Sequence, residues 1–309
     1  MLLIPGNDLD VRGLCLGGNV FGWTADERAS FAVLDAFVEA GGSMVDTADS
    51  YSAWAPGHVG GESEQVLGRW AAARGRRDEV VIATKVGKHP SLRGLRGDTV
   101  RTAVESSLAR LQTDRIDLLY AHADDLDTPV EETVGVFDEL VRSGKVRAVG
   151  ASNFSTARLR ESLAYADAHG LTRYAAVQDQ YNLVARGDYE GERADLVARE
   201  GLASFPFYGL AAGYLTGKYR HGPVDSARAQ TVARYQNARG ERVLDAVSQV
   251  AAAHGASMAT VALAWLLAQP TVTAPIASSR SLEQLPPLLA ARTLELSADE
   301  LAALTVASA

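Results

Sequence analysis

Residues 80–120 read VVIATKVGKHPSLRGLRGDTVRTAVESSLARLQTDRIDLLY, and this stretch decides the architecture. The apolar run Val80–Lys85 is short enough for a buried strand and ends abruptly on a lysine. After a glycine-rich polar turn, Asp98 stands as an expected helix N-cap ahead of Val100, Val104, Leu108 and Leu111, which share one face of a 3.6-residue period. A second apolar run, Ile116–Tyr120, closes the unit. Strand, amphipathic helix and strand in that order predict parallel pairing through a helical crossover.

The same alternation runs outward in both directions. Strands are expected at Gly13–Leu16 and Ser43–Asp46 upstream, and at Val146–Ala151, Ala175–Gln178, Leu202–Phe205 and Val272–Ile276 downstream. Thr128-Pro129 reads as N-cap and first helical residue, with Glu131 and Glu132 at the positive end of the helix dipole. Val134, Phe137 and Val141 then face inward and Gly144 stops the helix. Ser297-Ala298-Asp299-Glu300 is a capping box for a last helix. Eight strand–helix units favour an α/β fold of the closed (β/α)8 TIM-barrel kind over an open doubly wound sheet. Met1–Asp10, turning at Gly6-Asn7-Asp8, is expected as an N-terminal hairpin across the barrel bottom, and Gly209–Gly240 as an excursion at its top. No linker divides the chain, so one domain over residues 1–309 is expected.

Composition narrows the partners. The net charge of −8 is spread over interspersed charges, and no basic run could follow a phosphate backbone, so nucleic acid is not an expected partner. The start of the chain has no signal-peptide pattern. Val261–Ala268, the most apolar stretch, is far shorter than the roughly 20 residues of a membrane span. The single cysteine, Cys15, alternates with apolar neighbours and is read as a core residue. A cytoplasmic protein without a membrane partner is expected, and nothing in the sequence specifies an oligomeric state.

In such a barrel the residues just past the C-terminal ends of the strands converge on one pocket. Strand two runs out through Asp46-Thr47-Ala48-Asp49-Ser50-Tyr51, strand three ends on Lys85, and strand four runs out to His122. A lysine closing an apolar strand requires a carboxylate partner, and Asp46 on the neighbouring strand can supply it. The expected chemistry is an activated phenol. The Lys85 ammonium would draw the pKa of Tyr51 down from about 10 toward the working range, and His122 would orient a substrate carbonyl. Trp23 and Trp54 are candidates for lining the carbonyl pocket. A metal site on His122, Asp124 and Asp125 is not expected, because no second histidine lies at ligand spacing.

The wording around these residues resembles the aldo-keto reductase superfamily over nearly the whole chain. Val45-Asp46-Thr47-Ala48-Asp49-Ser50-Tyr51 looks like its Asp–Tyr phrase, and Gly61-Glu62-Ser63-Glu64 with Leu67-Gly68 like its next helix. His122 with Asp125, Gly150-Ala151-Ser152-Asn153-Phe154, and Gln178 followed by Tyr181-Asn182-Leu183 continue the series in order. The resemblance implies Tyr51 as general acid, Lys85 and Asp46 as its tuning pair, and His122 as the carbonyl-orienting residue.

It also implies a nicotinamide cofactor, NADPH, although no Gly-x-Gly-x-x-Gly follows any strand and a Rossmann module is not indicated. By resemblance Ser152, Asn153 and Gln178 hold the nicotinamide carboxamide, and Asp46, Gly22 and Trp23 the adjacent ribose. Phe207 takes the place of a stacking tyrosine, and Tyr208-Gly209-Leu210 that of a Ser-Pro-Leu phrase near the pyrophosphate. Gly213-Tyr214-Leu215-Thr216-Gly217-Lys218-Tyr219 is not a P-loop, being one residue short between glycines, but resembles the family's cofactor-covering loop. Ser278, Ser279, Arg280 and Gln284 meet the adenosine end, Arg280 and Ser279 suiting a 2′-phosphate. Leu288 stands where the family has an adenine-contacting asparagine. The expected reaction is reduction of an aldehyde or ketone, with aromatic and aliphatic carbonyls, reducing sugars and keto-sugars all compatible. The alternative of another class is a catalytically weak, NADPH-sensing regulatory subunit on the same fold.

Overall fold

Every second residue of the strands points into one apolar column, and the strands close around it. The computed structural model describes residues 3–220, 222, 224 and 229–309. Its main sheet contains β1 (Cys15–Gly17), β2 (Met44–Asp46), β3 (Val81–Val86), β4 (Ile116–Ala121), β5 (Val146–Ser152), β6 (Ala176–Gln178), β7 (Ala203–Ser204) and β8 (Ile276–Ala277). All pairings within it are parallel and the order is β8-β1-β2-β3-β4-β5-β6-β7. The ring closes between β7 and β8 through backbone bonds from Thr273 N to Ser204 O (2.9 Å) and from Ile276 N to Pro206 O (2.8 Å). This is the expected (β/α)8 barrel. All eight expected strands are present, shifted by a residue or two at their ends; β8 is shorter than Val272–Ile276 and lies at its end.

The inward positions are Cys15, Met44, Val81, Ala83, Leu118, Tyr120, Ala148, Ala176, Ala203 and Ile276, which form one buried cluster. Small residues dominate β5 to β7 because the Tyr120 ring fills the space opposite. A Cβ on Gly150 would lie 2.6 Å from that ring. Ile4, Leu9 and Val11 join the same cluster from below. They belong to the expected hairpin, seen as a Leu3–Asp10 antiparallel bridge with Ile4 N bonded to Leu9 O, while Met1 and Leu2 lie outside the described residues.

Helices α1 (Glu27–Glu39), α2 (Glu62–Arg74), α3 (Gly97–Leu111), α4 (Val130–Arg142), α5 (Thr156–His169) and α6 (Glu192–Glu200) cover the outside. Two expected caps are corrected. Asp98 lies inside the first turn of α3 and pairs with Arg101, because the Gly97 N–H is satisfied by Glu132 of α4 at 2.8 Å. The N-cap of α4 is Pro129, and Thr128 instead donates to Asp125. The Ser297 capping box forms as expected. The excursion after β7 carries a short 3-10 turn, Ala211–Thr216, and α7 (Ala229–Ala233); its residues 221, 223 and 225–228 lie outside the described residues. Val261–Ala268 falls mainly within the buried helix Met258–Leu267, and among the described residues no single helix is long and apolar enough to cross a membrane. A feature not expected is a small hairpin, Lys88–His89 paired with Leu92–Arg93, immediately above β3.

Candidate active site

Period two carries the inward face past the apolar column and onto polar residues at the mouth. Met44 is followed by Asp46, Ala83 by Lys85, Tyr120 by His122, Gly150 by Ser152, Ala176 by Gln178, and Phe205 by Phe207. The strand pattern itself therefore places six of the expected residues around one opening.

Their hydrogen bonds are continuous. Lys85 Nζ donates to Asp46 Oδ2 (2.7 Å), to the Thr47 carbonyl (2.8 Å) and to the Tyr51 oxygen (2.7 Å). Tyr51 in turn donates to Asp46 Oδ2 at 2.9 Å, and Gln178 Nε2 donates to the other carboxylate oxygen at 2.8 Å. Asp46 and Lys85 are each 1% exposed, so the pair is removed from solvent and all its strong contacts are internal. His122 is fixed by its backbone N–H to Val86 O and by Nδ1 against the Ser50 hydroxyl at 3.3 Å. Trp54 packs edge-on to Tyr51 and to Trp23, with centroids 5.9 and 5.4 Å apart, and is half exposed. The two tryptophans thus stand beside the phenol at the mouth.

The electrostatics correct one expectation. Burial, and next the carboxylate of Asp46, push the Tyr51 phenol well above its ordinary value rather than toward neutrality. Lys85 cannot reverse this because its charge is matched by the same carboxylate, and burial draws its own pKa down. The phenol keeps its proton. His122 is held well below its usual value by burial, then by Lys85 and Lys88, and is a neutral imidazole near neutral pH.

Residues 13–309 match the sequence model of the aldo/keto reductase family. The chain belongs to the aldo/keto reductase family. It is 34% identical to norsolorinic acid reductase stcV of Emericella nidulans, over 97% of this chain and 79% of that protein. An uncharacterised oxidoreductase of Bacillus subtilis, YrpG, is 37% identical over 90% of this chain and 86% of its own length. An aryl-alcohol dehydrogenase of Pestalotiopsis microspora is 31% identical over 97% and 79%. The family and these relatives make the chain an oxidoreductase of the carbonyl-reducing kind, built for a nicotinamide cofactor.

The residues present fit such a cofactor in this aldo/keto reductase. The Phe207 ring is partly buried just past the end of β7, next to Tyr208. Lys218 and Arg280 are exposed cations with no carboxylate partner among the described residues, as phosphate-binding groups would be. Tyr208, Ala211, Ala212 and Gly213 take positive φ, so the backbone after β7 turns repeatedly in the left-handed region. Ser152 is buried, and Asn153, also at positive φ, donates to the Ser152 hydroxyl and the His122 carbonyl. Gly22 and Trp23 lie in the turn after β1, with Gly22 N bonded to Ala25 O. Gly209 and Leu210 lie at the start of the excursion, where a Gly209 Cβ would press on Leu263 and Leu266.

Of the residues expected at the adenosine end, three have side chains that are already engaged. The Ser279 hydroxyl is buried and donates to Ser281 O, Ser278 donates to Asn19 Oδ1, and Gln284 Oε1 accepts from Arg280 N. Arg280 is the group left facing outward. Leu288 packs in the core at 3% exposure. Asp124 pairs with Arg158, and Asp125 accepts from Leu95 N and Thr128. Sequence reasoning missed Ser50, which sits in the quoted strand-end phrase and could have been marked by its place before Tyr51. It also missed Asn19, whose partner lies 259 positions away and leaves no local signal.

Proposed function

We propose that the chain reduces an aldehyde or ketone on an aromatic framework to the alcohol, with NADPH as hydride donor and Tyr51 as proton donor. The observation that carries this reading is the convergence of Tyr51, Lys85 and Asp46 beside His122 under a wall of two tryptophans. NADPH supplies the hydride when bound. Ser152, Asn153 and Gln178 would hold its carboxamide, Phe207 its nicotinamide face, Lys218 its pyrophosphate and Arg280 its 2′-phosphate.

The protein's own part is orientation and one proton. The Ser50 hydroxyl lies 3.3 Å from His122 Nδ1; acting as donor there, it would leave Nε2 as the hydrogen-bearing nitrogen that fixes the carbonyl oxygen of the substrate. Tyr51 swings its hydrogen from Asp46 to that oxygen as it becomes an alkoxide, a base strong enough to take a proton even from a phenol of raised pKa. The Lys85 ammonium, 2.7 Å from the phenol oxygen, stabilises the phenolate left behind. The tryptophan wall supports a flat aromatic substrate, and the names of two relatives, norsolorinic acid reductase and aryl-alcohol dehydrogenase, point the same way. NADPH oxidation across a panel of benzaldehydes, aliphatic aldehydes, aryl ketones and reducing sugars tests the reading. Turnover concentrated on aryl carbonyls supports it, and turnover of sugars alone would overturn it.

A further inference from the structure

The small hairpin above β3 sets two cations against each other. Lys88 and Arg93 are direct antiparallel partners, so their side chains leave the same face. Like charges in that arrangement repel, and neither has a carboxylate partner among the described residues. Most acids of the flanking elements are committed elsewhere, and Asp49, past β2, is buried at 1% exposure. Glu62 accepts from Val59 N and Gly60 N, Glu64 pairs with Arg110, Asp124 with Arg158, and Asp125 accepts from Leu95 N.

The position of the pair gives the repulsion a purpose. The hairpin leaves β3 just past Val86, whose carbonyl holds the backbone of His122 at 2.9 Å. The ammonium of Lys88 is felt by both His122 and Lys85. In the ring order β3 is four strands from β7, on the opposite side of the mouth from Lys218, so this charge is not placed for the cofactor phosphates.

We propose that Lys88, assisted by Arg93, is a specificity-determining anion site for the substrate, and that the carbonyl compound carries a carboxylate or another ionised acid group reaching past His122. This rests on the reduction reading above and names the substrate class within it. The two cations bind one acid group, which removes their mutual repulsion and orients the arene with its carbonyl at Tyr51.

The test compares 3- and 4-formylbenzoate with their uncharged methyl esters, in wild type and in Lys88→Met, Lys88→Glu and Arg93→Met. The ratio of kcat/KM for acid over ester should fall roughly 10- to 100-fold in Lys88→Met and further in Lys88→Glu, with Arg93→Met intermediate. An acid-to-ester ratio unchanged in both Lys88 variants would overturn the proposal, leaving two solvated surface cations. If no carbonyl is turned over, the reduction reading fails, and the anion site is then judged by binding alone. Quenching of tryptophan fluorescence by formylbenzoate should then weaken by the same factor in Lys88→Met and lose its dependence on salt. Equal affinity in wild type and variant would overturn it.

Discussion

Tyr51 and Lys85 hydrogen-bond the same carboxylate oxygen, Asp46 Oδ2, while lying 2.7 Å from each other. The ammonium donates to the phenol oxygen and the phenol donates to the carboxylate, so the single phenolic hydrogen has a resting place inside the protein. One charge of each sign faces the phenol, and burial decides its proton affinity.

Replacing Tyr51 by Phe should lower turnover by about 10²–10⁴-fold, the range for loss of a general acid. Cofactor affinity, read by quenching of protein fluorescence, should stay near the wild-type value. Turnover close to wild type in this variant would take Tyr51 out of the mechanism.

The raised phenol pKa fixes the sign of the pH dependence. Reduction needs the protonated phenol, so its rate should be nearly level from about pH 6 to 9. Alcohol oxidation needs the phenolate and should rise with pH over the same range. In Lys85→Met the Asp46 carboxylate acts on the phenol unopposed, and the oxidation profile should move to still higher pH. An oxidation profile that overlays wild type after scaling would show that Lys85 does not act on the phenol.

Arg280→Ala should weaken NADPH binding by roughly 10- to 150-fold, the equivalent of about 1.5–3 kcal/mol for a charge-assisted hydrogen bond. NADH, which has no 2′-phosphate, should bind almost as before. Equal losses for both would make Arg280 a structural residue of the loop after β8.

Asp49 gives a stability prediction. It is 1% exposed, and burial followed by repulsion from Glu64 raises its pKa from 3.8 to about 7 against the opposing pull of Arg110. A folded-state value above the unfolded one stabilises the protein fully below about pH 4, and that stabilisation is lost as pH rises through about 7. The advantage of wild type over Asp49→Asn in unfolding free energy should therefore shrink by roughly 4 kcal/mol between about pH 4 and 8. Parallel stability profiles in urea titrations would mean that Asp49 is already ionised when folded.

The barrel was legible because parallel strands buried on both sides are written as short continuous apolar runs, and all eight were found. Three of the four residues expected to be catalytic were legible for a related reason. Asp46, Lys85 and His122 continue the inward period of their own strands, so a pattern of two carries from core to chemistry. What failed turned on contacts outside the local pattern of apolar residues. Asp98 lost its capping role to Glu132 on the next helix. The expected pull of Lys85 on Tyr51 was cancelled by the carboxylate that binds both. The hairpin at Lys88–Arg93 has only two pairs and no alternation long enough to show.

The last two strands have two residues each, and the bond from Ile276 ends on Pro206, which has no N–H to return. Ser204 N turns to the Thr273 hydroxyl instead of a backbone carbonyl. The hoop is thus riveted from one side only, with a side chain standing in for a missing rung. Amide exchange at Ile276 and Ser204 should run ahead of the long β3–β4–β5 arc. Both loops that carry the outward cations Lys218 and Arg280 spring from this joint, so a dinucleotide bridging them would act as the buckle of the barrel.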